Sequence, residues 1–198
     1  MLRIPVLFVT AVALLSIESG TPARQASYGC PLDSNYKFYD IFGTSMAELR
    51  AEMLRKGPVD ESGVPHFAYT AWGIKWNWPK RTDGTRDFLN TEISCTAILT
   101  LPRLRPTSGT SLSVIREWHT LYEKILSHEH NHVLNAVGMA STITERVKVA
   151  ALSGKIRSER EANSEAFAVL DTIREFDHRY DEQTHFGKSE GTWGEQEG

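Results

Sequence analysis

Residues 125–136, with the sequence ILSHEHNHVLNA, contain histidines at the spacing that places two ligands on one metal ion. His128 and His132 are four residues apart, so on an α-helix their imidazoles lie one turn apart on the same face. Glu129 lies about 100° round the helix from His128, too far to join the pair but able to reach a water beside the ion. The pattern H-E-x-x-H therefore predicts a zinc site, with His128 and His132 as ligands and Glu129 as general base.

The third histidine of this segment, His130, is two residues from each of the others and points away from them on a helix. We therefore predict that His130 lies outside the metal site.

A catalytic zinc ion usually has three protein ligands and keeps one position for water. The residues of the next helix leave the third ligand open: Glu165 could supply a glutamate, Asp177 or Asp181 an aspartate, and His185 or His178 a histidine. A carboxylate that does not bind the ion could instead hold the second nitrogen of a ligand histidine.

The metal motif lies in a long helical pattern. Apolar residues recur at three- and four-residue steps from Ser111 to about Ala151, with Gly138 as the expected point of a break or bend. A second helix is expected after Gly154 and ends near Gln183.

The N-terminal half has the patterns of strands and one short helix. Strands are predicted at 36–43, at 66–78 with a bulge at Trp72–Gly73, and at 92–102, where Pro102 ends the strand. A helix is predicted between the first two strands, because Ser45 and Glu48 have the spacing of a capping box. The expected fold class is α+β, with a small, mainly antiparallel sheet in the N-terminal half and a helical C-terminal half that carries the metal-site helix.

The N-terminus has the composition of an export signal. Arg3 precedes an apolar run at 4–17, which is too short to cross a bilayer and is followed by small residues. We predict a signal peptide at 1–23, a single domain at 24–198 with a Gly-rich tail from about 188, and a secreted or periplasmic location. In that compartment Cys30 and Cys95 are expected to form a disulfide.

The bulk composition excludes some partners. The net charge of −3 over 198 residues gives no reason to expect nucleic acid. No membrane span is expected once the signal is removed, and no feature specifies an oligomeric state.

The chain resembles a bacterial family of secreted zinc-dependent proteases, the domain of unknown function 922. The resemblance covers YDIFGTSMAELRAEMLRKGP, TAWGIKWNW, the Cys95 strand, HEHNH and YDEQTHFGKSEG. It implies a zincin-like fold, with Zn²⁺ bound by His128 and His132. The C-terminal block of the family, Y-D-x-x-T-x-H-G, is matched here at Tyr180, Asp181, Thr184 and Gly187. Phe186 occupies the place of its histidine, and His185 precedes it. On this pattern His185 ranks first as third ligand, Asp181 second and Glu165 third.

These features together predict an exported zinc peptidase that hydrolyses peptide bonds of a peptide or protein substrate, with Tyr180 as a possible polariser of the substrate carbonyl. Two other functions fit the same residues. One is a non-catalytic binding or assembly factor that keeps the fold, which the Phe186 departure favours. The other is a metal-sequestering protein, which only the additional His130 favours.

Overall fold

A computed structural model describes residues 30–60 and 63–193, so the predicted signal peptide lies outside the described residues. The described chain contains three strands and three α-helices, followed by a short 3₁₀ turn at Lys188–Glu190. In chain order they are β1 (Leu32–Ile41), α1 (Met46–Lys56), β2 (Tyr69–Asn77), β3 (Glu92–Leu104), α2 (Leu112–Leu152) and α3 (Glu159–Thr184). A sheet in the N-terminal half and long helices in the C-terminal half confirm the α+β class. Of these helices, none is long and apolar enough to cross a membrane.

The three strands form one mixed sheet in the order β1-β3-β2. β3 is central: it pairs in parallel with β1 and antiparallel with β2. The prediction of a mainly antiparallel sheet is therefore wrong. Between β1 and β3 the chain passes through α1 and β2 and returns to the same end of the sheet, so β1 and β3 run in the same direction. The expected disulfide joins Cys30 to Cys95 beside the start of the β1–β3 pairing.

Two sequence expectations about the strands are corrected. β3 continues through Pro102 to Leu104. β2 pairs with β3 only as far as Thr100, so at Pro102 the strand pairs with β1 alone, and a proline is tolerated where one side of a strand has no partner strand. β2 has no bulge at Trp72–Gly73, since its register against β3 is continuous from Tyr69 to Asn77. The shift in apolar pattern has a different cause: the buried Phe67 and Ala68 precede the strand rather than belong to it.

Helix α2 is an unbroken helix of 41 residues. The expected break at Gly138 is absent, because the neighbouring Ala136, Val137 and Ala140 are buried and hold the helix against the rest of the chain. The Ser111 hydroxyl caps its first turn by accepting from the Val114 amide at 3.3 Å.

Two apolar clusters form the core, and α2 contributes to both. The sheet cluster joins β1, β3 and α1 to the first part of α2, through residues such as Leu49, Leu99, Leu101, Ile125 and Val137. The helix cluster joins α3 to the second part of α2, through residues such as Ile143, Val147, Ala166 and Ile173. The histidine motif lies where α2 faces the sheet on one side and the C-terminal end of α3 on the other.

Candidate metal centre

Three side chains converge at the middle of α2. His128 and His132 are both buried, and their Nε2 atoms are 3.2 Å apart. Oδ1 of Asp181, near the end of α3, lies 3.3 Å from Nε2 of His128 and 3.1 Å from Nε2 of His132. The three atoms thus form a nearly equilateral triangle, and within the described residues they are the group whose spacing suits a metal ion.

The size of this triangle fits zinc. Ligands held at 2.0–2.1 Å from a tetrahedral zinc ion are separated from one another by about 3.3–3.4 Å. The observed distances of 3.1–3.3 Å need only a small expansion to reach that value. Three ligands at these corners leave the fourth tetrahedral position for water or substrate.

The outer nitrogens of both histidines face carboxylates. Nδ1 of His128 lies 2.7 Å from Glu190 Oε2, and Nδ1 of His132 lies 2.9 Å from Asp177 Oδ1. An ionised carboxylate only accepts hydrogen bonds, so each Nδ1 must donate. In a neutral imidazole the Nε2 lone pair then points at the common centre, the arrangement found in carboxylate–histidine–zinc units.

Further hydrogen bonds fix these carboxylates in place. The Trp72 indole donates to Asp177 Oδ2 at 2.8 Å, and the Tyr180 hydroxyl donates to Glu190 Oε1 at 2.8 Å. The Tyr180 ring also stacks on His128, with 5.1 Å between centroids. The outer contacts therefore restrict the orientation of both rings.

The electrostatics of the centre favour a cation. Burial disfavours a charged His132, but the hydrogen bonds to Asp177 and Asp181 outweigh it and raise its pKa to about 10. Burial alone would raise the pKa of Asp181, yet the hydrogen bonds from both histidines hold it well below its usual range. The centre therefore binds positive charge between its ligands, either as protons on the histidines or as a metal ion that replaces them.

Glu129 is buried beside this centre. The Thr70 hydroxyl on β2 donates to Glu129 Oε2 at 2.7 Å and links the sheet to the motif helix. Burial raises the pKa of Glu129, and the hydrogen bond from Thr70 offsets part of that effect. A carboxyl with a raised pKa is a stronger base than an exposed one.

The centre opens into a large cleft between β2 and the two long helices. Its volume is about 1020 Å³, and His128, Glu129, His132 and Asp181 all line it. The first six residues of β2, at 69–74, form one wall. Because β2 is at the edge of the sheet, its side facing away from β3 pairs with no other strand in the described chain.

The structure separates the candidates for the third ligand. Asp181 lies with the two histidines, whereas His185 is exposed in the C-cap position of α3 with a φ of 51° and lies outside the group. Glu165 accepts from Arg146 at 2.7 Å, far from the motif. The structure therefore groups Asp181 rather than His185 with the two histidines, because α3 ends at Thr184 and His185 leaves the helical path there.

Two other predicted residues also have clear places. His130 contacts the Tyr36 hydroxyl at 3.0 Å on the far side of α2, outside the centre as expected. Tyr180 is directed to Glu190 and to Asn131 rather than into the cleft, so the structure does not place it as a carbonyl polariser.

Glu190 and Thr70 also contact the centre, and neither was predicted from the sequence. Glu190 lies in the segment predicted as a Gly-rich tail, but Trp193 stacks on Phe67 at 4.7 Å and anchors that segment. Tryptophan in a polar, Gly-rich tail was the available signal for such an anchor. Thr70 carried no signal, because a threonine in a strand is ordinary.

Comparison with known proteins identifies the family. Neither a curated protein nor a solved structure matches the chain. The family model described as "Bacterial protein of unknown function (DUF922)" matches residues 36–187, which include most of the sheet, both long helices, the histidine pair and Asp181. Over this span, which is most of its length, the chain belongs to the DUF922 family.

Proposed function

We propose that the protein is a zinc-dependent peptidase, with His128, His132 and Asp181 as zinc ligands and Glu129 as general base. The observation that carries the proposal is the convergence of two Nε2 atoms and one carboxylate oxygen within 3.1–3.3 Å, in a cleft that also exposes a buried glutamate.

A bound zinc ion would act as a Lewis acid that polarises a carbonyl group and lowers the pKa of a bound water molecule to about 7. Glu129 accepts the proton of the water that adds to the carbonyl carbon of the scissile bond. It then returns this proton to the departing amine as the C–N bond breaks, so no net proton is gained or lost by the enzyme. The Thr70 hydroxyl holds Glu129 Oε2 and leaves its other oxygen for this transfer.

An extended peptide is the substrate that suits the cleft. β2 borders it and is an edge strand of the described sheet, and a peptide in extended conformation can pair with such an edge. Thr70 belongs to the same strand and contacts Glu129, so a peptide on this edge passes the general base.

Export to an oxidising compartment is part of the proposal. The Cys30–Cys95 disulfide supports it, because such bonds persist in secreted and periplasmic proteins and are rare in reducing compartments.

The test compares the purified protein with its Glu129→Gln variant. Both are assayed for bound zinc and for cleavage of a broad peptide library. About one zinc per chain is expected in each, with cleavage by the wild type only, because glutamine keeps the shape of the side chain but cannot take a proton.

Two outcomes contradict the peptidase. Zinc in both proteins with cleavage by neither would favour a binding or assembly factor. Absence of zinc from both would mean that protons alone hold the histidine–aspartate group together.

A further inference from the structure

One end of the cleft exposes large apolar side chains to solvent. Val59, Val64 and Phe186 all line it, and their exposed fractions are 61%, 50% and 49%. They come from two distant parts of the chain: Val59 and Val64 precede β2, and Phe186 follows α3. Apolar groups from distant segments that meet in one solvent-filled cleft indicate a binding surface rather than scattered surface residues.

Phe186 adds a second observation. It has a φ of 56° and follows His185 at 51°, so two consecutive residues other than glycine lie in the left-handed region. A bulky side chain is unfavourable in that conformation, and here it also remains half exposed. Strained backbone conformations of this kind are concentrated at ligand sites, where they hold a side chain in the position that binding requires.

The contacts of Phe186 place it at this end of the cleft. Its ring lies 5.8 Å from that of His66, which in turn contacts Asp60 Oδ2 at 3.1 Å. Asp60 Oδ1 also accepts from the Val64 amide at 2.9 Å, so within the described residues this aspartate has polar partners of its own. The exposed side chains of Val59, Val64 and Phe186 are the apolar surface beside it.

Thr70 divides the cleft into two unequal ends. Its hydroxyl contacts Glu129, so it marks the position of the chemistry along β2. Val59 and Val64, which precede β2, line the apolar end together with Phe186. Residues 71–74 lead to the other end, where Arg174, Asp177 and His178 of α3 supply charged and polar groups.

We propose that the apolar end is a specificity subsite that binds one large apolar side chain of the substrate, of the size of leucine or phenylalanine, next to the bond that is cut. This inference rests on the proposed peptidase function, because it assigns that substrate to the same cleft. Phe186 is its main determinant, and Val64 is a second residue that lines it.

The test uses two peptides that differ at one residue, leucine or aspartate, and measures both hydrolysis and binding. Hydrolysis is followed with the wild-type protein, and binding with the Glu129→Gln variant, which does not require turnover. The leucine peptide is expected to be preferred in both assays by at least about tenfold, the effect of burying one large apolar side chain.

Two cleft variants and one control complete the design. Phe186→Asn keeps a residue that tolerates the left-handed backbone, and Val64→Ser alters a wall remote from the metal ligands. Each is expected to reduce the preference for leucine several-fold while zinc content stays unchanged. Phe176→Asn, at an exposed phenylalanine outside this cleft, should leave the preference intact.

The outcomes separate this inference from the peptidase proposal. A preference for leucine in binding without any hydrolysis would contradict the peptidase but support the subsite. Hydrolysis of both peptides at equal rates would overturn the subsite and leave the peptidase standing. The subsite is also overturned if neither peptide binds, or if both cleft variants keep the full preference.

Discussion

The two halves of the metal centre are encoded in different ways. On α2, His128 and His132 are neighbours because of helical geometry alone, and any regular helix through this segment brings them together. The other half consists of Asp177, Asp181 and Glu190, which lie 45 to 62 residues away from the histidines they contact. These three meet the histidines only because α3 packs on α2 and the tail folds back. A local motif therefore marks the site, while tertiary packing completes it.

The comparison is tested most severely at the third ligand. Loss of a hydrogen-bond partner of a ligand histidine lowers metal affinity by up to about 100-fold. Asp181→Ala should lower zinc affinity by more than that, because it removes one of the three proposed ligand atoms. His185→Ala, four residues later, should leave affinity unchanged because its side chain is exposed at the helix end. Zinc titration against a competing chelator measures both, and the opposite ranking would restore His185 as the ligand.

The outer carboxylates provide the next test. Glu190→Gln should reduce zinc affinity by about 10- to 100-fold, since Nδ1 of His128 loses the carboxylate that orients its ring. Glu182→Gln is the matched control, because this exposed glutamate contacts only the exposed His178 at 3.5 Å. The same titration applies. Equal affinities in the two variants would show that the tail does not contribute to the centre.

The smallest effect concerns the scaffold of the histidine pair. Gly138→Ala should stabilise the protein by roughly 1 kcal/mol, because alanine is the better helix former. A Cβ added at Gly138 meets no atom within 4 Å, so the change introduces no clash. Thermal unfolding should show a melting temperature higher by about 2–4 °C with zinc binding unaltered. A lower melting temperature would mean that α2 bends at this glycine.

Sequence reasoning succeeded where the relevant forces act between neighbours. Helical periodicity placed α2 and α3 nearly at their observed bounds, and spacing alone separated His130 from the pair. The Ser45 cap of α1 was likewise readable, and its hydroxyl accepts from the Glu48 amide at 3.2 Å.

The errors arose where distant segments decide the outcome. The parallel pairing of β1 with β3 depends on how the intervening chain crosses the sheet, which no local pattern specifies. Pro102 and Gly138 are ordinary signals for the end of a strand or helix. At Pro102 the strand continues because it pairs there with β1 alone, and at Gly138 the helix continues because its buried neighbours hold it in place. Asp181 and His185 are four residues apart and would share a face of a continuing helix, so the choice between them depended on where α3 ends. The helix ends at Thr184, and His185 leaves the helical path in a left-handed conformation.

The continuity of α2 has a consequence for how the molecule loses its structure. At 41 residues it is roughly 60 Å long, and it supplies side chains to both the sheet cluster and the helix cluster. Neither cluster can open without withdrawing support from the helix that the other also needs. The two are therefore expected to unfold together, as one cooperative unit rather than as two independent ones. An ion held by His128 and His132 would consequently protect the whole chain against unfolding, and not only the segment that binds it.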